Sequence, residues 1–337
     1  NTFEEIKKDS LKIDINIKID ISDDSAYGSA KFFASFASKF NKGIKKINPD
    51  LLIILGDRFE MLSAASIAVI HNIPICHLNG GESTEGIIDD SIRHAITKLS
   101  SIHFVSHKKY RSRVIQMGEN PNNVHYVGAL GLNLIIKKKF LDKSQIESFL
   151  KIKMRDKNLI VTYHPVTLTK DTIKDFTELL NALKFFKGVC FLITAPNMDA
   201  EHNKIISKIK YFVKNTDNTY FFKSLGKDNY FNLLNSFDGV IGNSSSGIIE
   251  VSSFKKGTIN IGKRQKGRIQ PKSVINCKPL KKNIIASIKK LFSQQFTRKL
   301  KKLKNPYYCQ GTENKIFNII KNTNLKDLAT KSFFDYE

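Results

Sequence analysis

The feature that most limits what this chain can fold into is a repeated change of rhythm, in which a short apolar run gives way to a stretch of helical periodicity. The runs are Leu51–Leu55, Ile73–Leu78, Ile102–Val105, Val124–Val127, Leu159–Tyr163, Val189–Thr194, Tyr220–Phe222, Gly239–Ile241 and Thr258–Ile261. Between them lie stripes such as Ile92, Ala95, Ile96 and Leu99, spaced to share one helical face. Strand–helix–strand repetition of this kind implies parallel sheets covered by helices on both faces, so the expected fold class is α/β. No repeat of solenoid period is present.

With 337 residues the chain is longer than one compact core usually takes, and two domains are expected. A charged segment from Lys137 to Lys157 separates two strand–helix series. This sets expected domains at 1–150 and 151–305, followed by a last helical segment at 306–337 in which Ile316, Ile319 and Ile320 are apolar. The chain starts at Asn1, and its first clear strand–helix unit comes only near Asp50; the expectation is that an opening βαβ unit is missing and the first domain incomplete.

Composition narrows the function classes. At 41% hydrophobic and 26% charged residues the chain reads as globular. No stretch approaches the roughly 20 apolar residues of a membrane span, and Asn1–Asp9 is too polar for a signal peptide. Cys76, Cys190, Cys277 and Cys309 are scattered, without a Cys-x-x-Cys pair, which suits reduced thiols and a cytoplasmic location. The net charge of +24 includes ten Lys or Arg and no acid between Lys278 and Lys304. Such a run is either a patch for nucleic acid or an acidic surface, or a solvated helical face. No aromatic-interleaved or zinc-finger pattern accompanies it, so neither nucleic acid nor membrane is expected as a partner. A basic field also suits a diphosphate substrate.

In open parallel sheets, ligands bind beyond the carboxyl ends of the strands. Gly56-Asp57-Arg58-Phe59-Glu60 follows the first run: Asp57 either faces a cleft or caps the next helix, and Arg58 could meet a phosphate. His77-Leu78-Asn79-Gly80-Gly81-Glu82 ends the second, where two glycines allow a sharp turn and close ligand approach. His77 there is either a ligand contact or a satisfied structural histidine. Asp89-Asp90-Ser91-Ile92-Arg93-His94 opens a helix with two acid–base pairs at i,i+4, Asp89 with Arg93 and Asp90 with His94, a constellation suited to helix stability or to proton chemistry. Tyr163-His164-Pro165 places an imidazole after a strand, as a site residue or a buried cap. Gly242-Asn243-Ser244-Ser245-Ser246-Gly247 forms a Ser- and Gly-rich turn into a helix, which is a diphosphate cradle or a plain N-cap. Glu250 could hold ribose hydroxyls, and Arg264 and Arg268 could clamp phosphate or be solvated.

These motifs together resemble the hydrolysing UDP-N-acetylglucosamine 2-epimerases of sialic and related nonulosonic acid biosynthesis, along essentially the whole length. The specific parts are Gly56–Glu60, the stretch from Gly80 to Ser100, and Gly242–Gly247. The resemblance implies two Rossmann-like domains facing a cleft, in the glycosyltransferase B architecture, with a C-terminal helix returning to the first. It implies neither metal nor nicotinamide cofactor, a UDP-sugar substrate, and a homodimer or tetramer. It further implies that a base removes the C2 proton while UDP leaves C1, giving a 2-acetamidoglucal to which water adds. Carried over by position, Asp57, Asp89 and His164 handle protons or stabilise the intermediate, and Arg93 orients the acids. Ser244 and Ser245, with Asn243 and Arg264 beside them, bind the diphosphate; Glu250 takes the ribose; Arg58, His77 and Asn79 contact substrate. Many relatives carry Glu where this chain has Asn79, and Glu82 is the expected substitute. The leading substrate is UDP-N-acetylglucosamine, with a UDP-2,4-diacetamido sugar as the alternative. A glycosyltransferase and a non-catalytic nucleotide-sugar binder are the competing classes.

Overall fold

Ten strands of the described residues form two sheets, and every paired strand runs parallel to its neighbour. The computed structural model describes residues 6–7, 9–19, 23, 25–85, 87–166, 171–197, 201–328 and 330–335. Two units emerge, one of Ile13–Asn133 with Tyr307–Glu337, the other of Leu134–Pro306 with the residues up to Lys12.

The first unit holds β1 (Leu52–Leu55), β2 (Ile75–Leu78), β3 (Ile102–Val105) and β4 (Val124–Tyr126), in the spatial order β1-β2-β3-β4. Helices Phe59–Ile70 and Asp89–Leu99 cover one face, where Ile54, Ala64, Ala65, Ala68, Ile75 and Ile96 pack together. The other face buries Cys76, Leu78, Ile102, Phe104 and Val127 beneath Ile316, Ile319 and Ile320 of helix Thr312–Asn322. At the edge of the sheet β1 leaves Ile53 51% and Leu55 54% exposed. Helix Ala26–Ile47 lies ahead of the first strand–helix unit read from the sequence. Ser25 starts it by accepting the Gly28 N–H at 3.0 Å, and Asn48 ends it in the left-handed conformation, which Asn tolerates better than most residues. Its Phe36 and Phe40 stack at 5.5 Å and pack on the first core.

The second unit holds β5 (Lys157–Thr162), β6 (Val189–Thr194), β7 (Thr219–Phe222), β8 (Gly239–Gly242), β9 (Gly257–Ile261) and β10 (Val274–Cys277). Their order, β10-β9-β8-β5-β6-β7, is the doubly wound arrangement, in which the winding reverses between β5 and β8. Leu159, Val161, Phe191, Ile193, Ile241 and Ile259 form the centre of its core. Each such side chain contributes about 1.5–3 kcal/mol by leaving water, and Phe191→Ala would cost about 3–5 kcal/mol. The strand β10 has no counterpart among the apolar runs, because only Ile275 of its four residues is buried.

The division of the chain differs from the expected boundary at 150. Residues 134–150 associate with the second unit: Lys138 pairs with Asp228, the Leu141 N–H donates to Asn232 Oδ1 at 3.2 Å, and Phe140 meets Phe254 at 5.7 Å. The stretch that marks a linker in the sequence thus finds partners on helix Gly226–Ser236 and the 3-10 turn Val251–Phe254. No helix among the described residues is long and apolar enough to cross a membrane.

Candidate active site

In the first unit the carboxyl ends of β1 and β2 carry the charged motifs, and Arg93 organises them. The side chain is 1% exposed, and its five N–H groups are all engaged. Nε and Nη2 both donate to Asp57 Oδ2; Nη1 donates to Asp90 Oδ1 at 3.0 Å and to the Glu82 carbonyl at 3.1 Å; Nη2 also reaches Thr84 Oγ1 at 3.0 Å. One guanidinium therefore serves two carboxylates, and the cluster keeps an excess negative charge. Asp57 receives Arg93 on Oδ2 alone, and its Oδ1 takes no hydrogen bond among the described residues. A carboxylate with one oxygen fixed and the other open, on a side chain 24% exposed, is arranged to accept a proton from a ligand. Asp57 does not cap the following helix, whose N-cap is Arg58.

Asp90, read from the sequence as the partner of His94 alone, is the second acid on Arg93. It also accepts the Thr84 N–H at 2.5 Å and lies 3.7 Å from His94 Nε2. Burial lowers the His94 pKa, opposed by the Asp90 charge. The predicted i,i+4 pairing of Asp90 with His94 is present, whereas Arg93 takes Asp90 at i,i+3 and Asp57 from 36 positions away. Asp89 sits half-buried as the first residue of helix Asp89–Leu99, where its charge complements the helix dipole.

Two expected site residues in this unit, His77 and Glu82, are buried in structural positions. His77 is 0% exposed, with Nε2 2.9 Å from the Gly56 carbonyl and Nδ1 3.2 Å from Thr97 Oγ1. Because a carbonyl only accepts, the proton lies on Nε2 and the ring is neutral; burial drives its pKa down to about 4. His77 braces the turn that carries Asp57 and has no exposed surface for substrate. The neighbouring glycines are required by packing: a Cβ on Gly80 would lie 3.0 Å from His77 Nδ1, and one on Gly81, at φ +74, 2.6 Å from the Tyr110 carbonyl. Glu82 is 1% exposed and accepts from Ser106 Oγ at 2.9 Å, which ties β2 to β3. Asn79 has φ 68, a left-handed backbone that Asn adopts more readily than Glu. Arg58 is 40% exposed, with Nε donating to Glu60 at 2.8 Å and its guanidinium over the Phe59 ring.

In the second unit a pocket of about 470 Å³ opens where the winding reverses. It is lined by His164, Lys223, Lys227, Tyr230, Ser244–Ser246 and Arg264, and among the described residues no carboxylate lines it. The ends of β5 and β8 touch here: Gly242, at φ 145, pairs with Thr162, and a Cβ on it would lie 1.8 Å from the Thr162 carbonyl. Asn243 then locks the two turns, accepting the His164 N–H at 2.7 Å and donating to the His164 carbonyl at 2.8 Å. With 1% exposure and its amide so engaged, Asn243 positions the site and leaves substrate contact to its neighbours.

His164 is 8% exposed, and its Nδ1 accepts the Asn197 N–H at 3.0 Å. The ring proton consequently lies on Nε2. Burial, and secondarily the Arg264 charge, push the pKa down to about 3. A neutral imidazole with its outer nitrogen protonated is a hydrogen-bond donor, a form suited to meeting negative charge. Arg264 is 7% exposed and donates to the Asn243 carbonyl at 3.2 Å, which excludes the solvated alternative.

The helix after the serine turn spans only Ser246–Ile249 before continuing as a 3-10 turn, Val251–Phe254. One turn sums few peptide dipoles, so serine hydroxyls and the cations carry the anion affinity. Tyr230 hydroxyl bonds to Ser246 Oγ. Burial first, and the Glu250 charge second, push that phenol above its usual range. Glu250 is half-buried and is not among the pocket lining. Lys223, Lys227 and Tyr230 were missed in the sequence, although the strand-end rule applied to β7 leads directly to the two lysines.

No group of three His, Cys, Asp or Glu among the described residues forms a metal-binding cluster. Comparison with known proteins gives a consistent result. The family described as UDP-N-acetylglucosamine 2-epimerase matches residues 1–321. A hydrolysing GDP/UDP-N,N'-diacetylbacillosamine 2-epimerase of Campylobacter jejuni is 39% identical over 99% of this chain and 87% of its own length. The polysialic acid biosynthesis protein P7 of Escherichia coli is 36% identical over 99% of this chain and 86% of its own. A Neisseria meningitidis UDP-GlcNAc 2-epimerase, solved with UDP-GlcNAc, shares the fold at a TM-score of 0.80, with 17% identity over 95% of this chain and 89% of that one. On its sequence, its two parallel sheets and these relatives, the chain belongs to the hydrolysing UDP-N-acetylglucosamine 2-epimerase family.

Proposed function

We propose that this protein epimerises a UDP-linked 2-acetamido sugar at C2 and releases UDP and the free 2-epimer. The observation that carries the reading is electrostatic: one rim holds an acid cluster with an open carboxylate oxygen, and the other a pocket whose described lining has three cations, a neutral imidazole donor and no acid. Elimination needs both. Asp57 takes the C2 proton through Oδ1, and the C1–O bond breaks with its electron pair leaving on UDP. Lys223, Lys227, Arg264, the serine hydroxyls and His164 Nε2–H stabilise the charge that gathers on that diphosphate. Water then adds across the resulting double bond, with hydroxyl to C1 and a proton to C2 on the opposite face. Asp89, at the start of its helix, is the candidate to return that proton. Arg93 acts through the carboxylates as a positioning residue.

For the sugar, the 39% identical relative favours a 2,4-diacetamido-2,4,6-trideoxy substrate, and the family description favours N-acetylglucosamine. Product analysis by NMR in heavy water tests the function. The expected result is UDP, a free 2-epimer and solvent deuterium at C2. Recovery of an intact nucleotide-linked epimer, or transfer of the sugar to an added acceptor without free monosaccharide, would overturn it. Presenting both sugars, each as its UDP and GDP ester, decides the substrate.

A further inference from the structure

The strongest feature outside both rims is a cationic face on the second unit. Ten basic residues fall between Lys278 and Lys304, nine of them lysine, without an intervening acid. They occupy the outward sides of two consecutive helices, Lys281–Phe292 and Gln294–Lys301, and the segments flanking them. The opposite sides bury Ile284, Ile288, Leu291, Phe296 and Leu300 in the core. All ten cations are exposed, and none of them takes part in an ion pair among the described residues. The nearest acid on the packed helix, Glu178, is spent on the Lys281 backbone N–H at 2.7 Å.

Two further observations shape the surface. A groove of about 540 Å³ runs within it, walled by Lys278, Lys282 and Lys290 over Cys277 and Ser287. Beside it Phe185 is 57% exposed, with Lys289 Nζ 5.4 Å from its ring centroid, and Lys184 and Lys187 extend the positive field. Unpaired cations held this close repel one another, a cost that an anionic partner would relieve.

We infer that this face docks the protein on an anionic lipid bilayer. A lysine-dominated outward surface suits a diffuse layer of headgroups, since each ammonium acts as a point charge without the planar fork that arginine offers to nucleic acid. Its groove has room for a phosphorylated headgroup, and Phe185 supplies an apolar side chain to enter the interfacial region. Such a contact is peripheral and reversible and needs no spanning helix, and none is present among the described residues.

Sedimentation with vesicles tests the inference. The full-length protein is mixed at about 0.1 M salt with phosphatidylcholine vesicles, or with vesicles containing about one-third phosphatidylglycerol. It should pellet with the anionic vesicles alone. The triple variant Lys282→Glu, Lys289→Glu, Lys290→Glu should lose at least about tenfold in vesicle affinity while keeping its circular dichroism spectrum and turnover. Phe185→Ser should weaken binding by a smaller factor. Equal pelleting with both vesicles, an unchanged triple variant, or tighter binding to an RNA homopolymer than to anionic vesicles would overturn it. These residues lie outside both rims, so failure here leaves the epimerase reading intact.

Discussion

The rim of β1–β2 and the rim of β5–β8 occupy the same topological position, at the carboxyl ends of parallel strands, and have opposite electrostatic designs. In the first, a buried guanidinium with every N–H engaged holds two carboxylates and leaves one oxygen of Asp57 open. In the second, three cations line a pocket that has no acid among its described residues, and a buried His164 is kept neutral. In the proposed reaction this difference would divide the labour between the rims. Proton abstraction needs a carboxylate that is held firmly but not fully neutralised. Holding a leaving diphosphate needs positive charge and donors, with no group competing for the proton.

The comparison can be broken most severely at Arg93. Arg93→Ala strands two partly buried carboxylates, and urea denaturation should show a loss of about 3–5 kcal/mol. Arg93→Lys keeps the charge but not the fork, and should recover part of the stability without turnover. Wild-type stability of Arg93→Ala would remove its organising role. Next, Asp57→Asn should lower turnover by about a thousandfold while UDP affinity by calorimetry stays within about twofold. Parallel loss of both would make Asp57 a structural residue.

Acid should expose the two buried imidazoles. His77 and His164 have folded pKa values of about 4 and about 3, below the ordinary 6.5. The unfolded chain therefore binds protons first, so stability is full above pH 6.5 and falls as the pH drops from there toward the folded values. At about 1.4 kcal/mol per unit of depression, the combined loss near pH 4 is several kcal/mol. Urea midpoints against pH should flatten in the His77→Gln, His164→Gln variant; an unchanged slope would show that other groups dominate.

Smaller effects sharpen the contrast. Ser244→Ala with Ser245→Ala should weaken UDP binding by about tenfold through lost neutral hydrogen bonds, with the stability unchanged. Asn79→Gly should alter stability by less than about 1 kcal/mol, because both residues accept the left-handed backbone there. A large loss would point to a side-chain role for Asn79.

Much of the fold was legible. Nine strands were readable as predominantly apolar runs, even the edge strand β1, whose Ile53 and Leu55 stay exposed. The strand β10 was not, because Ile275 is the one buried residue of its four and Asn276 interrupts the run. Among site residues, Asp57, His164 and Ser244 could be located from strand ends, and Arg93 from the charged helix Asp89–Leu99. The functions of His77, Glu82 and Asn243 could not be separated from theirs, as all sit in the same kind of turn and differ only in burial. Asp90 illustrates the same limit: the i,i+4 rule pairs it with His94, yet its principal partner is chosen by where β1 delivers Asp57.

From its amino acids alone, the chain determined its class, the succession of strands and helices, and the turns where chemistry would gather. Those depend on periodicity and on residues a few positions apart. Only tertiary structure decided which oxygen of Asp57 is open and which nitrogen of His164 carries the proton. These depend on Arg93 reaching 36 positions back and on Asn197 arriving 33 positions after the imidazole it fixes. Such meetings are set by sheet order and burial, which act across the whole chain and leave no local mark in the sequence.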